Sequence, residues 1–170
     1  MKVRSLMNLL EDEKILIFGY GNPGRHDDAL GPLLVQRIQQ MNWDHIYTDA
    51  DYQLNIELGA ELVNYDKVIF VDASKEGDEP FFIKKVFPSK NITFSTHSVN
   101  AESIVAICDE YFGSAPESWI LGIRGYDFTI GEGITEKAKS NFELAWQYLC
   151  KILNQQRRRE NGTKESYTYY

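Results

Sequence analysis

Residues 14–34, KILIFGYGNPGRHDDALGPLL, limit what this chain can fold into more than any other stretch. They open on an apolar run of strand length, 14–18. Gly19-Tyr20-Gly21-Asn22-Pro23-Gly24 follows, and its glycines and proline can extend neither a strand nor a helix. His26, Asp27 and Asp28 come next, three groups able to bind a cation. Leu30, Leu33, Leu34, Ile38 and Met41 then recur at helical spacing. Strand, turn, acids and helix make the opening of an α/β sheet. That order puts the acids at the carboxyl end of a strand, the edge at which such sheets bind ligands.

Two other uses of the stretch compete with cation binding. Gly19-x-Gly21-x-x-Gly24 matches the dinucleotide fingerprint in form, with Asp49 or Asp51 near the distance of a ribose-binding acid. That fingerprint aims bare N–H groups at a diphosphate, which two carboxylates at the mouth would repel. The plainer use makes Asp27 and Asp28 N-terminal caps of the following helix, and one of the two is expected to cap.

The rest of the chain continues the alternation. A second strand is expected within 45–49, and a short helix over 54–64 carries Leu54, Leu58 and Leu62 at four-residue spacing. Residues 67–71, Lys-Val-Ile-Phe-Val, read as a strand covered on both faces, ending at Asp72. Weaker strands at 81–87 and 92–95 lead to Thr96-His97. Ala101, Ile104, Val105, Cys108, Tyr111 and Phe112 mark an amphipathic helix, and 119–123 another buried strand. Thr135 caps a last helix with Ala138, Phe142, Ala145, Leu149 and Ile152 on its core face. The expected fold is α/β: one domain over 1–154, with a mostly parallel, twisted sheet of about five strands and helices on both faces. Residues 1–13 read as a short leader. The segment 155–170, with no aliphatic periodicity, reads as a disordered tail.

Composition narrows the function. A formal net charge of −7 argues against nucleic acid or an anionic membrane as the main partner. No apolar run approaches the ~18 residues of a membrane span, and the N-terminus lacks the form of a secretory signal. Cys108 and Cys150 fall on apolar helix faces without metal spacing. A cytoplasmic protein without structural disulfides is expected.

Three ionisable residues share a placement. Asp28 follows the first strand, Asp72 ends the strand over 67–71, and His97 follows the strand over 92–95. In a parallel sheet these ends lie along one edge, so the three can converge. Two carboxylates and an imidazole suit a divalent transition metal such as nickel or zinc, with coordination positions left open. Each has a plainer role: Asp72 as a turn cap, His97 as a hydrogen-bonded loop residue. His26, beside Asp28, is an alternative ligand, and His45 reads as structural.

The pattern G-x-G-N-x-x-x-x-D-D-x-x-G, from Gly19 to Gly31, resembles the signature of the nickel–iron hydrogenase maturation endopeptidases. Val71-Asp72-Ala73 and Ser95-Thr96-His97-Ser98 follow in the family's order. Residues 120–133, ILGIRGYDFTIGEG, resemble its late glycine-rich segment. The resemblance covers roughly 14–153. It implies an enzyme, a peptidase that removes the C-terminal extension of a hydrogenase large-subunit precursor after nickel insertion. It also implies that Asp28, Asp72 and His97 are the metal-contacting and catalytic residues, acting on nickel supplied by the substrate, with no organic cofactor. Many members carry Glu at the position of Asp28, and apolar residues often stand where this chain has Pro23-Gly24.

The expected chemistry is metal-assisted peptide hydrolysis. A variant keeps the metal for recognition and lets one carboxylate activate water. No Gly-x-Ser-x-Gly elbow and no HExxH helix is present, so neither an α/β-hydrolase nor a conventional zincin is supported. The alternatives from other classes are a non-catalytic chaperone or metal-checking scaffold for the immature large subunit, and a dinucleotide-binding protein.

Overall fold

The computed structural model describes residues 13–89 and 99–165, with 155–165 as backbone alone. The first apolar run forms β1, Ile15–Tyr20. A 3₁₀ turn, His26–Ala29, leads into α1, Leu30–Gln39. Then come β2 (Ile46–Asp51), the single turn of α2 (Leu58–Glu61) and β3 (Lys67–Ser74). The chain continues through β4 (Phe81–Val86), α3 (Ala101–Phe112), β5 (Glu117–Arg124) and α4 (Glu136–Glu165).

The five strands lie in the order β2-β1-β3-β5-β4. Every pairing is parallel except β4 with β5, so β4 is an antiparallel edge. The expected α/β fold with one mostly parallel sheet is what forms. Alternation along β1 divides its side chains between two cores. Ile15 and Ile17 meet Leu34, Val35 and Ile38 of α1 and Ala138, Phe142, Ala145 and Leu149 of α4. Leu16 and Phe18 meet Leu58 of α2 and Ile104, Val105 and Cys108 of α3 on the other face. In β3 the run from Val68 to Val71 is buried throughout, as a strand covered on both faces requires.

The order of the strands locates the ligand edge. From β1 the chain passes through α1 to β2 on one side, then returns through α2 to β3 on the other side of β1. The topological switch therefore falls between the carboxyl ends of β1 and β3, and the two connections leave a crevice there.

Several boundaries differ from the sequence reading. The helix expected over 54–64 shrinks to α2 plus a 3₁₀ turn, Leu62–Asn64. The Asn55 side-chain carbonyl accepts from the Leu58 N–H at 3.1 Å, so the chain turns before it winds. Leu54, Leu58 and Leu62 are still all buried. β3 does not stop at Asp72: it continues to Ser74 because β5 stays in register as far as Arg124. In α4, Leu153 takes the buried place expected for Ile152. The tail expected to be disordered from Gln155 is helical as far as Glu165. Gln, Arg, Glu and Lys propagate a helix without needing an apolar face. All but the last residue of the leader over 1–13, the strand over 92–95 and His97 lie outside the described residues.

Candidate active site

Tyr20 and Asp72 sit side by side at the crevice. Gly19 pairs with Val71, so the next residue of each strand meets its neighbour at the sheet edge. Alternation turns both toward the α3 side, where Phe18 and Phe70 already lie. The Tyr20 hydroxyl and the Ala73 N–H both favour the ionised form of Asp72. Burial pushes the Asp72 carboxyl up to about 7, against the lowering effect of the neighbouring Tyr20 hydroxyl, and the nearby charge of Asp28 adds to the rise. The Tyr20 hydroxyl is itself pushed well above its ordinary value, first by burial and then by the charge of Asp72. Glu102, in the first turn of α3, acts on it in the same sense.

Asp28 reaches this place through a tight fold of the glycine-rich turn. Gly21 has φ 143°, and a Cβ on it would lie 2.0 Å from the Asp28 carbonyl oxygen. Only glycine lets the two backbones close on each other. The Asn22 N–H then donates to Asp28 Oδ2 at 2.8 Å, which fixes one carboxylate oxygen. Gly24 stands in the turn before His26 and not on a helix. The arrangement that a dinucleotide fingerprint needs is therefore not formed.

Neither acid caps α1: no side-chain cap bond is made at the 3₁₀ turn or at the helix start. Asp27 instead turns inward, fully buried, to the segment that precedes α4. It accepts from the N–H groups of Tyr126 (2.7 Å), Asp127 (3.1 Å) and Thr135 (2.7 Å) and from the Thr135 hydroxyl (2.9 Å). Burial opposes its ionisation, but these four donors outweigh it and hold the carboxyl below the usual range. The capping expectation fails because Asp27 is taken up instead by three backbone N–H groups and one hydroxyl of the segment 126–135. Thr135 does cap α4 as expected, its Oγ1 accepting from the Ala138 N–H at 3.3 Å.

His26 belongs to the same fastening. Its N–H donates to the Gly131 carbonyl at 2.9 Å, and Nδ1 lies 2.9 Å from the Gly133 carbonyl. A carbonyl only accepts, so Nδ1 carries the proton. A Cβ at Gly131 would lie 2.2 Å from Nε2, so both ring nitrogens face the 131–133 segment. The ring is thus held by that segment, and the alternative of His26 as a ligand beside Asp28 is not formed. Arg25 adds a bond from Nε to the Phe128 carbonyl at 3.1 Å.

Of the sequence-predicted residues, Asp28 and Asp72 come together, and His97 is outside the described residues. Among the described residues, no three His, Cys, Asp or Glu side chains are grouped to hold a metal ion. Tyr20 was missed. Its signal was present as the one aromatic inside the glycine turn, two residues beyond Phe18 and so on the same strand face.

No protein-family model and no curated protein matches the sequence. Solved structures do match. Hydrogenase maturating endopeptidase HybD from E. coli superposes with a TM-score of 0.68 at 19% identity, over 84% of this chain and 93% of its own. The [NiFe] hydrogenase maturation protease HycI from Thermococcus kodakarensis gives 0.66 at 23% identity, over 88% and 99%. A hydrogenase 2 maturation peptidase from a Thaumarchaeota archaeon gives 0.62 at 18%, over 84% and 99%. The fold is that of the hydrogenase maturation proteases. This chain spans nearly the whole length of each of these proteases, so the fold is shared from β1 to α4 and not in one half alone.

Proposed function

We propose that the protein is a hydrogenase maturation endopeptidase, which removes the C-terminal extension of a nickel–iron hydrogenase large-subunit precursor after nickel insertion. The observation that carries this reading is the pairing of Asp28 and Asp72 at the switch point of this fold. Two carboxylates close enough for one to raise the other's pKa favour a divalent cation between them. Asp28, Asp72 and His97 are the groups proposed to meet nickel held by the precursor. His97 stands three residues before Asn100, whose side chain caps α3.

When bound, nickel carried in by the precursor would supply a Lewis acid for the scissile carbonyl or the attacking water. The chain's own part is positioning. The Asn22 N–H ties down one oxygen of Asp28 and leaves the other available. Hydrolysis adds the water oxygen to the acyl carbon and returns a proton to the leaving amine. A carboxylate in hydrogen-bond reach of the water is the group suited to carry that proton. The absence of a helix long and apolar enough to cross a membrane, among the described residues, accords with a freely diffusing partner of the precursor. Cytoplasmic location is part of this proposal.

The deciding experiment incubates the protein with nickel-loaded and nickel-free precursor and weighs the products. Loss of the extension from the loaded precursor alone is the expected result. Asp28→Asn, Asp72→Asn and His97→Ala should each abolish it with circular dichroism unchanged. Efficient cutting of metal-free precursor in chelator would remove nickel from the reaction. No cutting of either precursor would leave the protein a scaffold.

A further inference from the structure

We propose that the cavity beside Asp72 is a subsite for an uncharged apolar side chain from the first two residues of the precursor's extension, with Phe82 determining its specificity. The inference rests on the endopeptidase reading and deepens it. One row of residues runs across three strands: Asp72 on β3 pairs with Gly122 on β5, and Gly122 with Phe82 on β4. Alternation puts the row on the α3 face, where Val68 and Val86 of the same strands are buried. A cavity of about 400 Å³ opens over it, lined by Asp72, Ser74, Glu76, Phe82, Ile120 and Gly122 among others.

The floor of the cavity is an aromatic ring lying across β5. A Cβ on Gly122 would lie 2.3 Å from Cζ of Phe82 and 2.4 Å from Cε1, so only a bare backbone admits the ring there. A Cβ on Gly77 would come within 3.2 Å of the same ring. The Gly77 carbonyl accepts from Arg124 Nη1 at 3.0 Å, and the Ser74 hydroxyl donates to the Glu76 carbonyl. The wall over 74–77 is thereby tied to β5 before any substrate arrives, and binding need not order it. Phe82 and Ile120 are half-buried on a face where Val68, Phe70 and Val86 are buried. Lys75 also lines the cavity, but its ammonium lies 5.0 Å from the centroid of Phe128, a ring packed on the α4 side. An acidic side chain would lose water against the aromatic floor and face the acids of the rim.

The strand order sets which part of the precursor lies here. Asp28 and Asp72 mark β1 and β3, and the cavity continues past Asp72 over β5 and β4. A chain that meets the two acids with its nickel and runs on in that direction passes over Phe82 with its extension. β5 lies about 4.8 Å beyond β3, and a residue spans about 3.5 Å, so the occupant is the first or second residue after the cut.

The test uses nickel-loaded precursors that carry Leu, Ala or Asp at the first or the second position of the extension. At one of these positions wild-type protein should favour Leu, with kcat/KM about 10–100-fold lower for Asp and intermediate for Ala. Phe82→Lys should reverse the order of Leu and Asp, because it exchanges the apolar floor for a cation. The substitution falls on a half-buried position of an edge strand, where lysine is well tolerated, and circular dichroism checks the fold. Equal cutting of Leu and Asp precursors at both positions, or an order that folded Phe82→Lys leaves unchanged, would overturn the proposal. A second measurement needs neither cutting nor a variant. Short blocked peptides spanning the junction, with Leu or with Asp at both positions, are titrated into wild-type protein while the Gly122 amide signal is followed. The Leu peptide should shift that signal and the Asp peptide should not. Should wild-type protein cut no precursor, the endopeptidase reading fails, and the peptides still decide the cavity: equal responses to the two would end the subsite.

Discussion

At the scale of residues, Asp27 and Asp72 show one side chain in two opposite settings. Asp27 is surrounded by donors and stays ionised, while Asp72 is partly buried with a second acid nearby. Asp72 therefore binds its proton more tightly in the folded protein than in the unfolded chain. The stability it contributes is fully present below its unfolded value, about 3.9. It is lost as pH rises through about 7. In chelator, the melting temperature of wild-type protein should drop between pH 5 and pH 8.5, and Asp72→Asn should show a smaller drop. An Asn variant less stable than wild type at pH 8.5 would contradict this. The positions of Asp28 and Asp72 were legible in the sequence because each follows an unmistakable apolar strand. The partner of Asp27 was not. Its donors lie 99 to 108 residues away, and no local pattern announces an acid that fastens a distant loop.

At the scale of elements, α1 is seated by a glycine. A Cβ on Gly31 would lie 2.4 Å from the Val71 carbonyl oxygen and 2.7 Å from that of Tyr20. Both atoms are backbone, so neither can swing aside. The first turn of α1 therefore rests directly on the ends of β1 and β3, with Asp28 just ahead of it. Gly31→Ala should lift that turn off the sheet, cost about 1–3 kcal/mol in urea unfolding and reduce processing more than it reduces stability. Full activity in a destabilised Gly31→Ala protein would show that Asp28 does not depend on this contact. Helices with long apolar stripes, α1, α3 and α4, could be read from periodicity. The helix over 54–64 was overestimated because an Asn side chain, not an apolar residue, sets where it starts. The end of β3 was set by its partner β5, which its own sequence cannot report.

At the scale of the whole molecule, the sheet is complete without the distal part of α4. Among the residues whose side chains are described, Leu153 is the last buried one of that helix. Arg37 and Trp43 lock its middle, through a 2.7 Å ion pair with Glu143 and a stacked contact with Trp146 at 6.3 Å. A chain truncated after Asn154 should therefore melt within a few degrees of the full chain and process precursor equally well. A larger drop would mean that the distal helix packs. The fastening of Arg25, His26 and Asp27 to residues 126–135 bears on something else, the order in which the protein is made. A nascent chain that has emerged only through β4 possesses both acids but none of the four donors to Asp27, and β3 still lacks its neighbour β5. Contacts of such sequence separation form late and slowly. The pair of acids is thus assembled only after most of the polypeptide has been synthesised, and an unfinished chain has no formed crevice with which to meet a precursor.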